Sequence, residues 1–221
     1  MAAILAIVGC GPRLEVALLA SEMAAPGVVA LAGPVPRSEL VMSAVDLLLR
    51  AAELDRTGLT RVLATRGPGS FTGVRVALAT AEGLAAALGV PATGVPSLLA
   101  QAARCEGERC LAVQPARRGQ VYTQPFRRLA GLWEPEGGPQ VVATAELSGV
   151  DTPVVAPAGL ALPPGTPIAA TRVSTVEALL ALAEQLPGGG LDTLAPLYLE
   201  PPPAVPPTRT VKPWPPSPQA T

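Results

Sequence analysis

The chain has 221 residues, enough for one substantial core or two small lobes, and 49% of them are apolar. A formal charge of −1 excludes a general electrostatic drive toward nucleic acid, and two residues each of Phe, Trp and Tyr exclude a ring-built core, leaving Ala, Val and Leu to fill the interior. The chain contains no histidine, which excludes Ser-His-Asp and Cys-His catalysis within it, and an H-E-x-x-H metal site.

The apolar segment Met1–Gly9 has no basic residue ahead of it and reads as a buried strand rather than a signal peptide. Strands are predicted at Ala3–Val8, Leu14–Ala20 and Val28–Leu31, joined by Gly/Pro turns. Ser38 then caps a helix that runs to about Leu54, with Glu39 favourably placed in its first turn. Val62–Thr65 is the next strand, followed by a glycine-rich turn, a helix over Thr72–Leu88 and a short helix over Ser97–Arg104. Strands at Cys110–Gln114 and Gln120–Phe126 open a second series, with Pro125 requiring an edge or a strand end. Arg127–Thr171 is rich in Pro and Gly and carries no assignable element. Ser174 and Glu177 form a capping box ahead of a helix over Thr175–Leu186, which Pro187 and Gly188–Gly190 stop. From Glu200 onward nine of 22 residues are proline, so the end of the chain reads as an extended, disordered tail.

This order predicts an α/β protein with an N-terminal lobe over 1–104, a smaller C-terminal lobe over 105–200 and a Pro-rich tail over 201–221. No run of about 18 apolar residues is free of charge, so no membrane span is expected. Cys10, Cys105 and Cys110 lack C-x-x-C spacing and read as free thiols of a reducing cytoplasm.

Two helices carry more apolar surface than a single sheet contact needs. In the first, the polar positions Ser43, Asp46, Arg50 and Glu53 occupy one narrow arc, and apolar residues cover the rest. In the second, Arg75 and Glu82 share one line, Thr80 stands apart, and the other positions are apolar or tiny. Both could be interior helices of a large α/β domain; in a chain this short, a partner surface is equally compatible. The turn before the second helix holds Gly67, Gly69, Ser70, Thr72 and Gly73, residues that could cradle an anion at a helix start. A tight strand-to-helix turn explains the same glycines, and neither the G-x-G-x-x-G spacing nor a following G-K-[ST] is present.

The segment GPGSFTG, the Ala/Gly-rich helix after it and the turn Gly94-Val95-Pro96-Ser97-Leu98 resemble the TsaB (YeaZ) family, non-catalytic relatives of the tRNA threonylcarbamoyl transferase. ILAI at Ile4–Ile7, ARRGQVY at Ala116–Tyr122 and LYLEPPPA at Leu197–Ala204 are similar too, and fall in the family's order. The resemblance implies the actin-like/sugar-kinase fold with two ribonuclease-H-like lobes. It also implies a cytoplasmic pseudo-enzyme subunit of the threonylcarbamoyladenosine machinery that pairs with the catalytic paralogue TsaD, helps recruit the ATPase TsaE and meets tRNA only through the complex. Members pair through two such helices, with the paralogue or with themselves; here the residues expected to dock are Leu40, Ala44, Leu47, Leu48, Val74, Arg75, Leu78, Ala81, Glu82 and Ala85.

The chain departs from the family where superfamily enzymes hold metal and phosphate. Val8 and Gly9 stand where Asp-Thr is usual, and Pro115 and Gln120 replace Asp and Glu of the second loop. Arg37 stands where the family shows a histidine. No metal and no cofactor are therefore expected. The alternative reading is an enzyme of the same fold, a sugar-kinase-like ATPase or a peptidase-like hydrolase.

Overall fold

A computed structural model describes residues 2–186 and 191–200. The expected helix stop at 187–190 and the tail from 201 lie outside the described residues. β1 (Ala3–Val8) is apolar at every position and nearly all buried, as a strand covered on both faces must be. It pairs antiparallel with β2 (Leu14–Ala20), which pairs antiparallel with β3 (Gly27–Leu31). On its other side β1 runs parallel to β4 (Leu59–Thr65), and β4 parallel to β5 (Ala92–Val95). The resulting order, β3-β2-β1-β4-β5, is the ribonuclease-H-like topology of the actin-like/sugar-kinase fold.

Parallel neighbours need crossovers, and two helices supply them. α1 (Arg37–Ala51) packs on β2 and β3, α2 (Phe71–Leu88) packs on β4 and β1, and the two helices touch. α1 begins one residue before Ser38 and ends three before Leu54. Its N-cap is Pro36, which makes no side-chain cap, and Glu53, in the left-handed region at φ 53°, closes its end. α2 follows the sequence expectation more closely, since Ser70 accepts from the Gly73 N–H at 3.3 Å. By length and composition α2 could cross a bilayer; in this protein Val74, Ala77, Leu78, Ala81 and Ala85 fix one face of it in the core.

α3 (Ser97–Ala102) leads into the second sheet, β10-β6-β7-β8, with β9 also on β7. Its long strands are β6 (Arg109–Pro115) and β7 (Gln120–Leu129). β8 (Leu132–Pro135), β9 (Gln140–Ala143) and β10 (Val154–Val155) form in the stretch left without elements, each too short to carry a period of its own. Pro125 explains how β7 takes two outer partners. β9 pairs with Gln120–Thr123 and β8 with Phe126–Leu129, so the missing N–H falls where neither strand is bonded.

α4 (Thr175–Ala181) starts with the expected capping box: Ser174 Oγ accepts from the Glu177 N–H at 3.3 Å, and Glu177 accepts from the Ser174 N–H at 2.8 Å. It is shorter than expected and continues as a 3-10 turn over Leu182–Glu184. α4 packs on β1 and β2, and Val176, Leu179, Leu180 and Leu182 join the core of the first sheet. The chain assigned to the C-terminal lobe thus crosses back, and Arg61 on β4 holds it by donating to the Ala183 carbonyl at 2.7 Å.

Candidate functional site

The glycine-rich turn is shaped by what passes against it. A Cβ on Gly69 would stand 2.5 Å from the Cys10 carbonyl oxygen, at a backbone φ of 148° that side chains rarely adopt. Gly73 and Gly9 meet backbone to backbone: a Cβ on either would overlap the carbonyl of the other. Three of the turn's N–H groups are given to the protein itself. Ser70 donates to the Cys10 carbonyl at 2.8 Å, Gly67 to Ser97 Oγ at 3.1 Å and Gly73 to Ser70 Oγ. Of the residues expected to cradle an anion, Gly67, Gly69, Ser70 and Gly73 are brought together as a tight turn, and Thr72 lies exposed on α2.

Four separate motifs converge on one cleft of about 480 Å³ between the lobes. Gly11 and Pro12 come from the β1–β2 turn, Pro68 to Phe71 from the glycine turn, Pro115 to Arg117 from the β6–β7 turn, and Leu197 to Glu200 from the end of the described chain. Arg37, at the first position of α1, bridges the carbonyls of Gly9 and Gly11, the latter at 2.7 Å, and burial lowers its pKa from the ordinary value. Glu200 is the one carboxylate among the lining residues; it accepts from Tyr122 Oη at 3.3 Å and lies 3.6 Å from Arg117 Nε. Burial, with Glu200 adding to it, raises the Tyr122 pKa.

The donor set does not fit the magnesium nucleotide of the fold's enzymes. Mg²⁺ takes oxygen ligands, usually with one or two carboxylates. Here a guanidinium covers the carbonyls of the first turn, Val8 is an apolar core residue, Pro115 has no side-chain oxygen, and the single lining carboxylate, Glu200, is tied to Tyr122 and Arg117. Among the described residues no three Asp, Glu, His or Cys lie together in a metal-holding group.

The second surface is the outer face of α1 and α2. A groove of about 440 Å³ runs between them, lined by Val41 and Met42 on α1 and by Phe71, Arg75, Val76 and Ala79 on α2. A further hollow lies toward the C-terminal ends of both helices, with Leu49, Leu84 and Leu88 in its wall. Six of the side chains expected to dock face the other way: Ala44, Leu48, Val74, Leu78, Ala81 and Ala85 are buried in the chain's own core. The physical reason is that small and aliphatic residues occupy most of each helix, so periodicity marks an apolar arc without saying which part the sheet takes. Leu40 is half-buried, and Leu47, Arg75 and Glu82 are exposed. Leu47 stands about 140° around α1 from Met42, away from the groove.

The three thiols are free, as expected from their spacing, and all three are buried. Burial raises the pKa of Cys10, and burial beside Cys105 raises that of Cys110. Sequence reasoning did not single out Phe71 and Tyr198, which line the cleft, or the carbonyl bridge that Arg37 makes. The available signal was that the quoted motifs hold three of the chain's six aromatic residues, Phe71, Tyr122 and Tyr198.

The family model described as "TsaD: tRNA N6-adenosine threonylcarbamoyltransferase" matches residues 35–182. The chain is 38% identical over 95 residues to the tRNA threonylcarbamoyladenosine biosynthesis protein TsaB of Bacillus subtilis, covering 42% of each chain. It is 34% identical over 108 residues to the protein of the same name from Escherichia coli, covering 47% of each. The matched segments therefore span less than half the length of these curated relatives. The solved structure of YeaZ from Pseudomonas aeruginosa superposes with a TM-score of 0.73 at 25% identity, covering 90% of this chain and 100% of that one. Family model, sequence relatives and fold agree: the chain belongs to the TsaB (YeaZ) family, within the TsaD-type group.

Proposed function

We propose that this chain is a non-catalytic subunit of the machinery that makes threonylcarbamoyladenosine in tRNA, working in the cytoplasm by docking on the catalytic TsaD-type paralogue. The observation that carries the reading is the groove between α1 and α2, with Met42 half exposed beside the small side chain of Ala79. Small residues let another helix approach closely, and the chain's own core leaves this face uncovered. The cleft supports a scaffold rather than a transferase or an ATPase, because its cation-facing positions carry Arg37 and Pro115. The docked pair would form the platform for the ATPase TsaE, and tRNA would be met through the complex. The same face would serve a homodimer when the paralogue is absent.

The test is to mix the purified chain with the TsaD-type paralogue and measure mass by light scattering. A heterodimer is expected, and Ala79→Glu on the exposed face should dissolve it while leaving the chain folded, since an unpaired charge is costly to bury. A wild-type chain that never pairs, or Mg²⁺-dependent ATP hydrolysis by the chain alone, would overturn the reading.

A further inference from the structure

Residues 193–200 return from α4 across the first lobe and end at the second. Room is made for them by two glycines of the central motif block. The Leu197 carbonyl lies 2.5 Å from where a Cβ on Gly67 would stand, and a Cβ on Gly94 would overlap the Thr193 carbonyl. Leu197 N–H donates to the Arg66 carbonyl at 2.7 Å, and Gly94 N–H to Thr193 Oγ1 at 3.2 Å. At the far end Glu200 is held by Tyr122 and Arg117 of the second lobe. Between these ties, Tyr198 places its ring 5.3 Å from that of Phe71 and accepts from Arg75 Nε at 3.0 Å. The Arg75 guanidinium stands 3.9 Å over the Phe71 ring.

We propose that Phe71, Arg75 and Tyr198 form one anchor of the docking surface, so that the paralogue's helical face seats on this strap as well as on α1 and α2. The inference rests on the docking reading above and extends it to a segment beyond the two helices. Phe71 and Arg75 line the groove, which makes the strap continuous with it. In a chain with so few aromatic residues, Phe71 and Tyr198 are spent side by side at 36% and 39% exposure, where they contribute little to the core. Stacked aromatic and Arg side chains are the residue types that dominate binding energy at interfaces, and their mutual contacts hold them ready before the partner arrives. Arg75 Nε is committed to Tyr198, while its terminal nitrogens have no hydrogen-bond partner among the described residues. The matching feature on the paralogue is a hydrogen-bond acceptor, a carboxylate or a helix-end carbonyl, beside an apolar helix face.

The experiment is calorimetric titration of the full chain with the paralogue, using Tyr198→Ala, Arg75→Ala and the double variant, with folding checked by circular dichroism. Tyr198→Ala and Arg75→Ala should each weaken binding at least about tenfold, and the double variant should lose less than the product of the two, because the side chains act as a unit. Wild-type affinity in Tyr198→Ala, with Ala79→Glu still abolishing binding, would overturn this inference and leave the docking reading standing. Failure of the wild-type chain to bind would overturn the docking reading itself. Should Tyr198→Ala unfold, the exposed Arg75→Ala decides: unchanged affinity in that variant overturns the anchor.

Discussion

Leu78 and Met42 are aliphatic side chains on neighbouring helices, and truncating each to Ala separates folding from docking. Leu78 is 5% exposed and packed in the core of the first sheet, whereas Met42 is 50% exposed on the wall of the groove. Leu78→Ala removes buried methyl groups and leaves a cavity, a cost of about 2–5 kcal/mol. For a chain of this size that is a fall of about 4–20 °C in Tm, a large share of a total stability of about 5–15 kcal/mol. Met42→Ala gives up only half of a side chain whose full burial is worth about 1.5–3 kcal/mol, so its cost is about 1 kcal/mol and its Tm falls by no more than about 4 °C. Affinity for the paralogue should rank the two in the opposite order. Met42→Ala should weaken docking by about fivefold or more, while Leu78→Ala, measured well below its Tm, keeps wild-type affinity. Urea unfolding followed by circular dichroism gives the first ranking and calorimetry the second. If Met42→Ala destabilised the chain as much as Leu78→Ala, or if Leu78→Ala lost docking while still folded, the assignment of inner and outer faces would be refuted.

The same substitution at two glycines of α2 should act with opposite signs. Gly73→Ala drives a Cβ into the Gly9 carbonyl, a backbone atom, and should cost about 1–3 kcal/mol or more; Gly83→Ala meets nothing within 4 Å and should gain about 0.5–1 kcal/mol by urea unfolding. For pH, Cys10 and Cys110 keep their protons to higher pH when folded than when unfolded, where thiols titrate near about 8.5. The unfolded state then binds fewer protons, so this stabilisation is complete below about pH 8.5 and is lost as pH climbs toward the folded-state values; Cys10→Ala should flatten the decline between pH 8 and 10.

Local chemistry decided much of this protein from the sequence alone. β1 and β2 fall on their expected residues because a few consecutive apolar side chains suffice to define a buried strand. Ser174 and Glu177 announce the start of α4 because both halves of a capping box lie within four residues. The start of α1 was misplaced because Ser38 looks like a cap, while Arg37, bound to carbonyls of the β1–β2 turn, already lies in the helix. β8, β9 and β10 were invisible because each is defined by its hydrogen bonds to β7 or β6 rather than by its own pattern. Nor does a helix rich in Ala, Val and Leu show by periodicity that Leu78 goes inward and Ala79 outward. That choice, the return of α4 to the first sheet, and the meeting of Arg37, Tyr122, Tyr198 and Glu200 around one cleft belong to the tertiary structure. Short-range hydrogen bonding and apolar spacing are written in neighbouring residues, whereas contacts across a hundred residues exist only once the sheets have formed.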